Sequence, residues 1–486
     1  MTPSMPLERV HEALAAGAEV VTDERNVTAG SIYFALRKHD SGTRIAGVLW
    51  AAWGWCEFHL PGVLVLADRL TGVLPGALRR RWTALRAYRF NGNAFAEKAL
   101  KKGAALVVMD RPGLSDRRVV RVSDVRQAFY RCANEHRLRH RARVIGVTGS
   151  CGKTTTKEYL AHLLSSHYKV NSTEGSFNTY EGLCLTLFKI RPDTDFAVLE
   201  ISSSGANDVE GKSRIACPDI GIITVIGKAH LEGFGGIEGV RAVKRKLFDV
   251  VRERERLIVV NQDDPVLVEL AGDYPNALRH GAGAECDIQG NARPACAPLA
   301  LNWRYKGEML HEVQTRIFGA LNLTNILAAI AVAREVGVPE EKIDRALESY
   351  EPQNMRSQIL RYGDVTLILD AYNANPTSMN AALKDFSTTV KGHRTVILGD
   401  MLELGEHSRR EHSAVLDAVK NAGFDAVYLV GREFGAVLDG QMPAEWFGDA
   451  EALRAHLMKH KPAETTLLIK GSRGIGLEKL LAVWQM

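Results

Sequence analysis

The sequence predicts an α/β protein built on parallel sheets, with a phosphate-binding domain at its centre. Three observations predict it. An apolar strand, Val144-Ile145-Gly146-Val147-Thr148, runs into the turn Gly149-Ser150-Cys151-Gly152 and then into Lys153-Thr154-Thr155. Further apolar runs alternate with helical periodicity, the pattern of a parallel sheet wrapped by helices. At 486 residues the chain exceeds one ordinary core, and about three domains are expected.

Residues 1–139 read as a mixed α/β domain. Its strands are Ser31-Ile32-Tyr33-Phe34-Ala35-Leu36 and Ala105-Leu106-Val107-Val108-Met109, and it ends in a basic helix over 131–141. A central domain, 140–315, opens with the glycine turn. The helix after it carries Tyr159, Leu160, Leu163 and Leu164 at helical spacing. Near-continuous apolar runs at 196–200, 220–226 and 257–261 read as strands buried on both faces. A softer stretch rich in Gly, Ala and Pro covers 282–298. The third domain, 316–486, has a helix over 322–336 and buried-strand runs at 365–370, 395–400, 426–431 and 466–470. Several end in Asp or Gly, at the carboxyl edge where open α/β sheets place ligands.

Hydrophobic residues at 46% and charged residues at 24% are those of a soluble globular protein. A net charge of +5 suits small anionic substrates, and no Lys/Arg block is long enough for a nucleic-acid groove. The seven cysteines form no C-x-x-C pair, so neither a disulfide framework nor a zinc site is expected. The N-terminus, MTPSMPLERVHEALAAG, lacks the order of a signal peptide, and the cytoplasm is the expected compartment.

The glycine turn aims successive backbone N–H groups and a helix N-terminus at one point, which suits a polyphosphate. Gly149, Ser150, Cys151, Gly152, Lys153, Thr154 and Thr155 are the candidate ligands of a nucleotide's phosphates. Lys153 would lie along the β- and γ-phosphates, and the Thr154 hydroxyl would hold Mg²⁺. The loop is a variant, because Val147 stands where the general spacing has glycine. Glu200 closes a strand expected beside the loop strand, within reach of the same Mg²⁺. His230, in Thr224-Val225-Ile226-Gly227-Lys228-Ala229-His230-Leu231-Glu232, ends another strand and is a candidate metal ligand. Lys244, within Arg241-Ala242-Val243-Lys244-Arg245-Lys246, reads by itself as part of a solvated basic helix.

Together these strings, with Asn261-Gln262-Asp263-Asp264-Pro265, resemble the Mur ligases: three-domain, ATP-dependent amide ligases of peptidoglycan precursor synthesis. The third domain is similar to the branch that adds D-alanyl-D-alanine. The similarity lies in Phe318-Gly319-Ala320-Leu321-Asn322-Leu323-Thr324-Asn325, Arg356, Asp370-Ala371-Tyr372-Asn373-Ala374-Asn375-Pro376, Leu398-Gly399-Asp400-Met401-Leu402-Glu403 and Lys470-Gly471-Ser472-Arg473-Gly474. The resemblance implies a central ATPase domain, a Rossmann-like C-terminal domain and a uridine-nucleotide-binding N-terminal domain. It implies that ATP phosphorylates a carboxylate and that an amine then attacks the acyl phosphate, with two Mg²⁺ ions. Thr154, Glu200 and His230 would hold the metals. Lys153, His230 and Lys244 would be catalytic, with Lys244 at the position of a carbamylated lysine. Arg245 and Lys246 would favour its neutral amine by lowering its pKa. Asn325 and Arg356 would contact the nucleotide from the third domain, and the Asp370–Asn375 turn, with Asp370 and Asn373, would close over it. Thr22, Asp23 and Arg25 resemble the entrance for the uridine nucleotide. Asn178, Thr179 and Ser202 would face the acceptor, and Lys470, Ser472 and Arg473 the carboxylate of the incoming amine.

Three features depart from the family. An insertion covers about 41–88, between the uridine-nucleotide entrance and Phe90-Asn91-Gly92-Asn93, where relatives carry an Asp-Gly-His string. It contains Trp50, Trp53, Trp55 and Phe58 and then Arg79-Arg80-Arg81-Trp82. Extra core or a substrate lid is expected of it, with docking of 45–88 on a membrane surface or a partner protein as the alternative. Ile201-Ser202-Ser203-Ser204-Gly205-Ala206-Asn207-Asp208 replaces a Met/Gly-rich string, and Asn178-Thr179 replaces an Asn pair. The expected activity is ADP-forming addition of D-alanyl-D-alanine to a UDP-N-acetylmuramoyl tripeptide. The alternative is the same chemistry on another carboxylate and amine in a specialised peptide pathway. A non-catalytic scaffold is disfavoured, because Lys153, Glu200 and Lys244 are all present.

Overall fold

A computed structural model describes residues 5–36, 92–175, 177–203, 205–228, 234–293, 297–440 and 442–485. The 41–88 insertion and His230 lie outside the described residues. The chain divides into two compact units, Met1–His136 and Arg137–Met486.

The first unit holds a parallel sheet of β1 (Val20–Val21), β2 (Ile32–Phe34), β3 (Leu106–Met109) and β4 (Val119–Arg121), side by side in chain order. Tyr33, Val107, Ala96 and Ala99 fill its core. Gly92 N donates to Leu36 O at 3.0 Å, and Tyr33 Oη donates to Gly92 O at 3.0 Å. A Cβ on Gly92 would lie 2.5 Å from Leu36 O. The chain therefore leaves the described frame at residue 36 and rejoins it at residue 92 side by side, at the carboxyl end of β2. Glycine is what permits that approach.

The second unit carries two sheets. The larger contains β5 (Arg143–Thr148), β6 (Val170–Ser172), β7 (Phe196–Glu200), β8 (Ile220–Ile223), β9 (Leu257–Asn261), β10 (Ala277–Gly281), β11 (Ile288–Ala292), β12 (Ala300–Tyr305) and β13 (His311–Gln314). Their spatial order is β13-β12-β11-β10-β9-β8-β5-β7-β6. All pairs are parallel except β11–β12 and β12–β13. The chain order reverses beside β5, which puts the crevice of an open α/β sheet at the end of that strand. The smaller sheet contains β14 (Gln358–Tyr362), β15 (Val365–Asp370), β16 (Arg394–Gly399), β17 (Ala426–Val430), β18 (Glu445–Phe447) and β19 (Thr466–Lys470). Their order is β14-β15-β19-β16-β17-β18, with only the β14 edge antiparallel. Parallel register brings Asp370, Lys470 and Leu398 together at one carboxyl edge.

The buried-strand runs of the sequence coincide with β7, β8, β9, β15, β16, β17 and β19. The softer 282–298 stretch contains β11, and a β12–β13 hairpin that the apolar pattern did not announce extends the sheet. Helices Leu321–Glu335 and Glu340–Ser349 differ from expectation. The boundary at 316 assigns them to the third domain, but they join the core of the larger sheet, with Ile326, Leu327, Ile330, Ile343 and Leu347 packed among Ile145, Leu160, Leu164 and Trp303. Burial nearly all round explains why Leu321–Glu335 is apolar on almost every face. Among the described residues no helix is long and apolar enough to cross a membrane.

The contact is close enough to test. A Cβ on Gly290 of β11 would lie 2.4 Å from Leu327 Cδ2. Gly290→Val should destabilise the second unit by about 1–3 kcal/mol, the usual cost of overpacking. Chemical denaturation measures this, and an unchanged midpoint would place the helix elsewhere.

Candidate active site

The loop after β5 turns on two glycines at positive φ, Gly149 (+145°) and Gly152 (+83°). A Cβ on Gly149 would sit 2.0 Å from Thr224 Oγ1, and one on Gly152 would sit 2.3 Å from Asn325 Oδ1. Neither position admits a side chain without displacing its neighbour. Gly152 caps the helix Lys153–Ser165, whose first-turn N–H groups face the loop. Lys153 folds back over the turn, with Nζ donating to Gly149 O at 2.8 Å and Ser150 O at 3.3 Å. Burial lowers its pKa. Thr155 is buried beside the loop, and desolvation pushes the half-buried Cys151 thiol up.

β7 pairs with β5 in the register Val147↔Glu200, which sets Glu200 beside the loop. Thr154 Oγ1 donates to Glu200 Oε2 at 2.6 Å, and Asn178 Nδ2 donates to Oε1 at 2.8 Å. A hydroxyl and a carboxylate side by side are hard oxygen donors that fit Mg²⁺ shared with phosphate oxygens. Among the described residues no group of three or more His, Cys, Asp or Glu could hold a metal, so further donors would come from phosphate and water.

Lys244 is 2% exposed, contrary to its appearance in the sequence. Its Nζ donates to Ser203 Oγ at 2.6 Å. Burial holds its pKa well below the ordinary value, and the charges of Lys153 and Lys212 push it further. Arg245 and Lys246, expected to cause the lowering, do not. Consecutive helical residues do not face one another: Arg245 lies 3.3 Å from Asp249 and Lys246 3.5 Å from Glu210, both partly in solvent.

Lys212 is a residue the sequence argument missed. Its Nζ donates to Asn178 O at 2.8 Å, Ser202 O at 2.8 Å and Ser202 Oγ at 3.3 Å. Ser202 Oγ in turn donates to Asn178 O at 2.9 Å. The ammonium thus staples two loops beside Glu200. Burial lowers its pKa. In Asp208-Val209-Glu210-Gly211-Lys212-Ser213-Arg214 it looks like one solvated charge among several, and only packing distinguishes it. Thr179 is a helix cap, its Oγ1 accepting from Gly182 N at 3.1 Å.

Asn325 reaches the loop from the larger sheet's core rather than from the third domain, because its helix packs there. Its Oδ1 accepts from Thr156 Oγ1 at 3.1 Å. Arg356 lies in the linker before β14, its guanidinium 3.8 Å from the centre of the Tyr372 ring, with Arg473 5.0 Å from the same ring. The Arg356 Nε is buried without a hydrogen-bond partner. Asp370 accepts from Ser357 N at 3.1 Å and pairs with the buried Lys470. Lys470 is thereby already engaged, whereas Asn373 and Arg473 are exposed. Ser472 Oγ accepts from Leu402 N at 2.9 Å. Thr377, just past this carboxyl edge, accepts from Lys228 N at 3.1 Å, and the adjoining Gly227 is hydrogen-bonded to Ser150 of the phosphate loop, so the edge faces the loop.

In the first unit Thr22 is half-buried, and Asp23 pairs with the exposed Arg25 at 2.6 Å. Hydrogen bonds from Arg25 hold the Asp23 carboxyl down at about 2.

Comparison with known proteins identifies the family. The family described as the Mur ligase middle domain matches residues 147–333, and the Mur ligase glutamate ligase domain matches 355–473. The chain is 30% identical over 452 residues to a protein of Escherichia coli named UDP-N-acetylmuramoyl-tripeptide--D-alanyl-D-alanine ligase, covering 88% of this chain and 96% of that one. The chain belongs to the Mur ligase family. Mur ligases of the same name from Synechocystis (32% identical, 81% of this chain, 86% of that one) and Bacillus subtilis (29%, 82% and 88%) match as broadly. The three-domain Mur ligase fold is shared with the crystal structure of MurF from Acinetobacter baumannii (TM-score 0.78, 24% identity, 96% of this chain, 93% of that chain). It is shared also with MurF ligase from Thermotoga maritima in complex with ADP (TM-score 0.77, 23%, 98% of each).

A lysine whose pKa is lowered by folding binds fewer protons in the native than in the unfolded state. Its contribution to stability therefore rises with pH from the lowered value up to the ordinary 10.5. Lys244→Met removes that slope. In bicarbonate-free buffer the thermal midpoint of the parent should gain on that of the variant as pH rises toward 10.5. Parallel profiles would mean that Lys244 is not desolvated.

Proposed function

We propose that the chain is an ADP-forming ligase that joins the terminal carboxylate of UDP-N-acetylmuramoyl-tripeptide to the amine of D-alanyl-D-alanine. The observation that carries this is the Lys153, Thr154 and Glu200 constellation in a chain matched over most of its length by relatives of that name. A carboxylate oxygen takes the γ-phosphoryl group of ATP and ADP leaves. The amine nitrogen then attacks the acyl carbon, and the tetrahedral adduct expels phosphate as the amide forms.

Both reactants are anions, so the protein's task is neutralisation and alignment. Lys153 and the loop N–H groups bind the phosphates, and Asn325, Arg356, Asp370 and Asn373 bind the rest of the nucleotide. Thr154 and Glu200 would hold Mg²⁺, with His230 at a second ion; the metal supplies charge neutralisation of the transferring phosphoryl group. The buried Lys244, held towards its neutral amine, has the chemistry needed for carbamylation, which would turn a cation into an anion beside the site. Asn178, Ser202 and the Lys212 staple would shape the acceptor side. Thr22, Asp23 and Arg25 would receive the uridine nucleotide, and Ser472 and Arg473 with Lys470 the dipeptide carboxylate. The substrates are small molecules and the proposed compartment is the cytoplasm.

A second reading, the same reaction on a different carboxylate and amine, draws support from the Lys212–Ser202–Asn178 cluster, whose Ser202 and Asn178 lie in the strings that depart from the family. Phosphate release from Mg-ATP with both cell-wall substrates, with product mass, decides between them. A gain of one dipeptide less water, dependent on both substrates, is expected. An ATP-binding enzyme without that product would move the assignment to another acceptor.

Lys153→Ala should lower ADP formation by about 10²–10³-fold, the loss typical of one removed anion-stabilising donor, with an unchanged thermal midpoint. Near-parental turnover would refute the loop's role. Lys244→Ala should lose activity and regain part of it with added short carboxylates; failure of that rescue in an otherwise folded variant would reject carbamylation.

A further inference from the structure

The Thr224-Val225-Ile226-Gly227-Lys228 string after β8 has two faces, and each is gripped by a different partner. One face braces the phosphate loop. Ser150 N donates to Val225 O at 2.7 Å, Ser150 Oγ donates to Gly227 O at 2.9 Å, and Gly227 N donates back to Ser150 Oγ at 3.0 Å. Thr224 Oγ1 donates to Cys151 O at 2.5 Å. The other face meets the third domain. Lys228 N donates to Thr377 Oγ1 at 3.1 Å, and Lys228 Nζ donates to both oxygens of Glu411, at 2.9 and 3.1 Å. Gly227 lies so near that a Cβ there would stand 2.6 Å from Thr377 Oγ1.

Glu411 sits on the helix Ser408–Ala422 with its side chain 4% exposed, and Lys228 is half-exposed. The pair is therefore partly shielded from solvent, where an ion pair is screened less than at an open surface. The linker between the two sheets is under strain at the same time. Asn354 (φ +57°), Met355 (+56°) and Ser357 (+50°) all adopt left-handed backbone. Asn tolerates this region, whereas Met and Ser do so only when the surroundings enforce it.

We propose that Lys228 is a positioning residue that clasps the third domain, through Glu411 and Thr377, to the string bracing the phosphate loop. Seating of the third domain then fixes the loop's conformation, and the clasp holds the strained linker in place. The rate readout below rests on the ligase reading; the clasp itself does not.

Lys228→Met keeps the aliphatic stem, and Glu411 retains Arg410 at 2.8 Å, so no orphaned carboxylate threatens the fold. An unchanged thermal midpoint checks this. Lys228→Met and Glu411→Gln should each lower kcat about three- to fivefold, the population change that one such ion pair supports, with a smaller change in KM for ATP. Each should enlarge the radius of gyration of the ligand-free protein in small-angle scattering. High salt should reproduce the enlargement in the parent and add nothing in Lys228→Met. The exchange variant, Lys228→Glu with Glu411→Lys, should recover both kcat and the parental scattering curve. Single variants with parental scattering, or an exchange variant no better than either single, would overturn the clasp. If the parent turns over no cell-wall substrate, scattering and salt response still decide the matter, so the two readings fail separately.

Discussion

Buried positive charge is the constraint on which the rest of the site depends. Lys153 and Lys212 both lie within electrostatic reach of Lys244, and burial lowers the pKa of each of the three. Desolvated ammonium groups are costly unless partnered. Here the partners are mostly neutral oxygens: the loop carbonyls for Lys153, Asn178 and Ser202 for Lys212, and Ser203 for Lys244. Each side-chain nitrogen is held by oxygens that a turn or strand end presents, so the three lysines tie these loops together. The local excess of positive charge is what a polyphosphate would relieve.

The sheets explain why these groups meet. Reversal of strand order beside β5 opens a crevice at its carboxyl end, and the β5–β7 register delivers Glu200 into it. The smaller sheet contributes its own carboxyl edge, with Asp370 and Lys470 paired in register. Two open sheets thus present the same kind of edge to one space, and the ligand chemistry follows from that symmetry of construction.

Legibility in the sequence followed locality. The phosphate loop is contiguous, so strand, glycines, Lys153 and Thr154 were readable together. Strands buried on both faces, such as β7 and β9, appear as unbroken apolar runs. The β12–β13 hairpin was not readable, because Asn302, Arg304, Glu312 and Gln314 break the apolar pattern wherever a face meets solvent. Lys212 was passed over, and Lys244 taken by itself read as solvated, for one reason: a charged helix shows its composition in sequence but not which residue turns inward. Lys228 and Glu411 stand 183 residues apart, and no local signal relates them. Nor does an apolar helix declare which of two sheets it covers, so the expected boundary at 316 fell before the helix that belongs to the larger core.

That boundary bears on mechanism. Asn325 is fixed to the phosphate loop by the core itself, since its helix packs against Lys153–Ser165 and Gly152 has room for no more than a hydrogen at its approach. Arg356 and the other proposed nucleotide contacts after it belong to the smaller sheet's domain. The proposed nucleotide contacts are therefore divided between the two sheets' domains, and the linker at 350–357 joins them. Left-handed Asn354, Met355 and Ser357 place stored backbone strain at that joint. A joint of this kind does not rest in one position by its own preference. It needs contacts across the gap, and those among the described residues include Lys228 with Thr377 and Glu411, Leu321 N donating to Asp385 at 3.4 Å, and Phe318 packed with Phe386 in the smaller sheet's core.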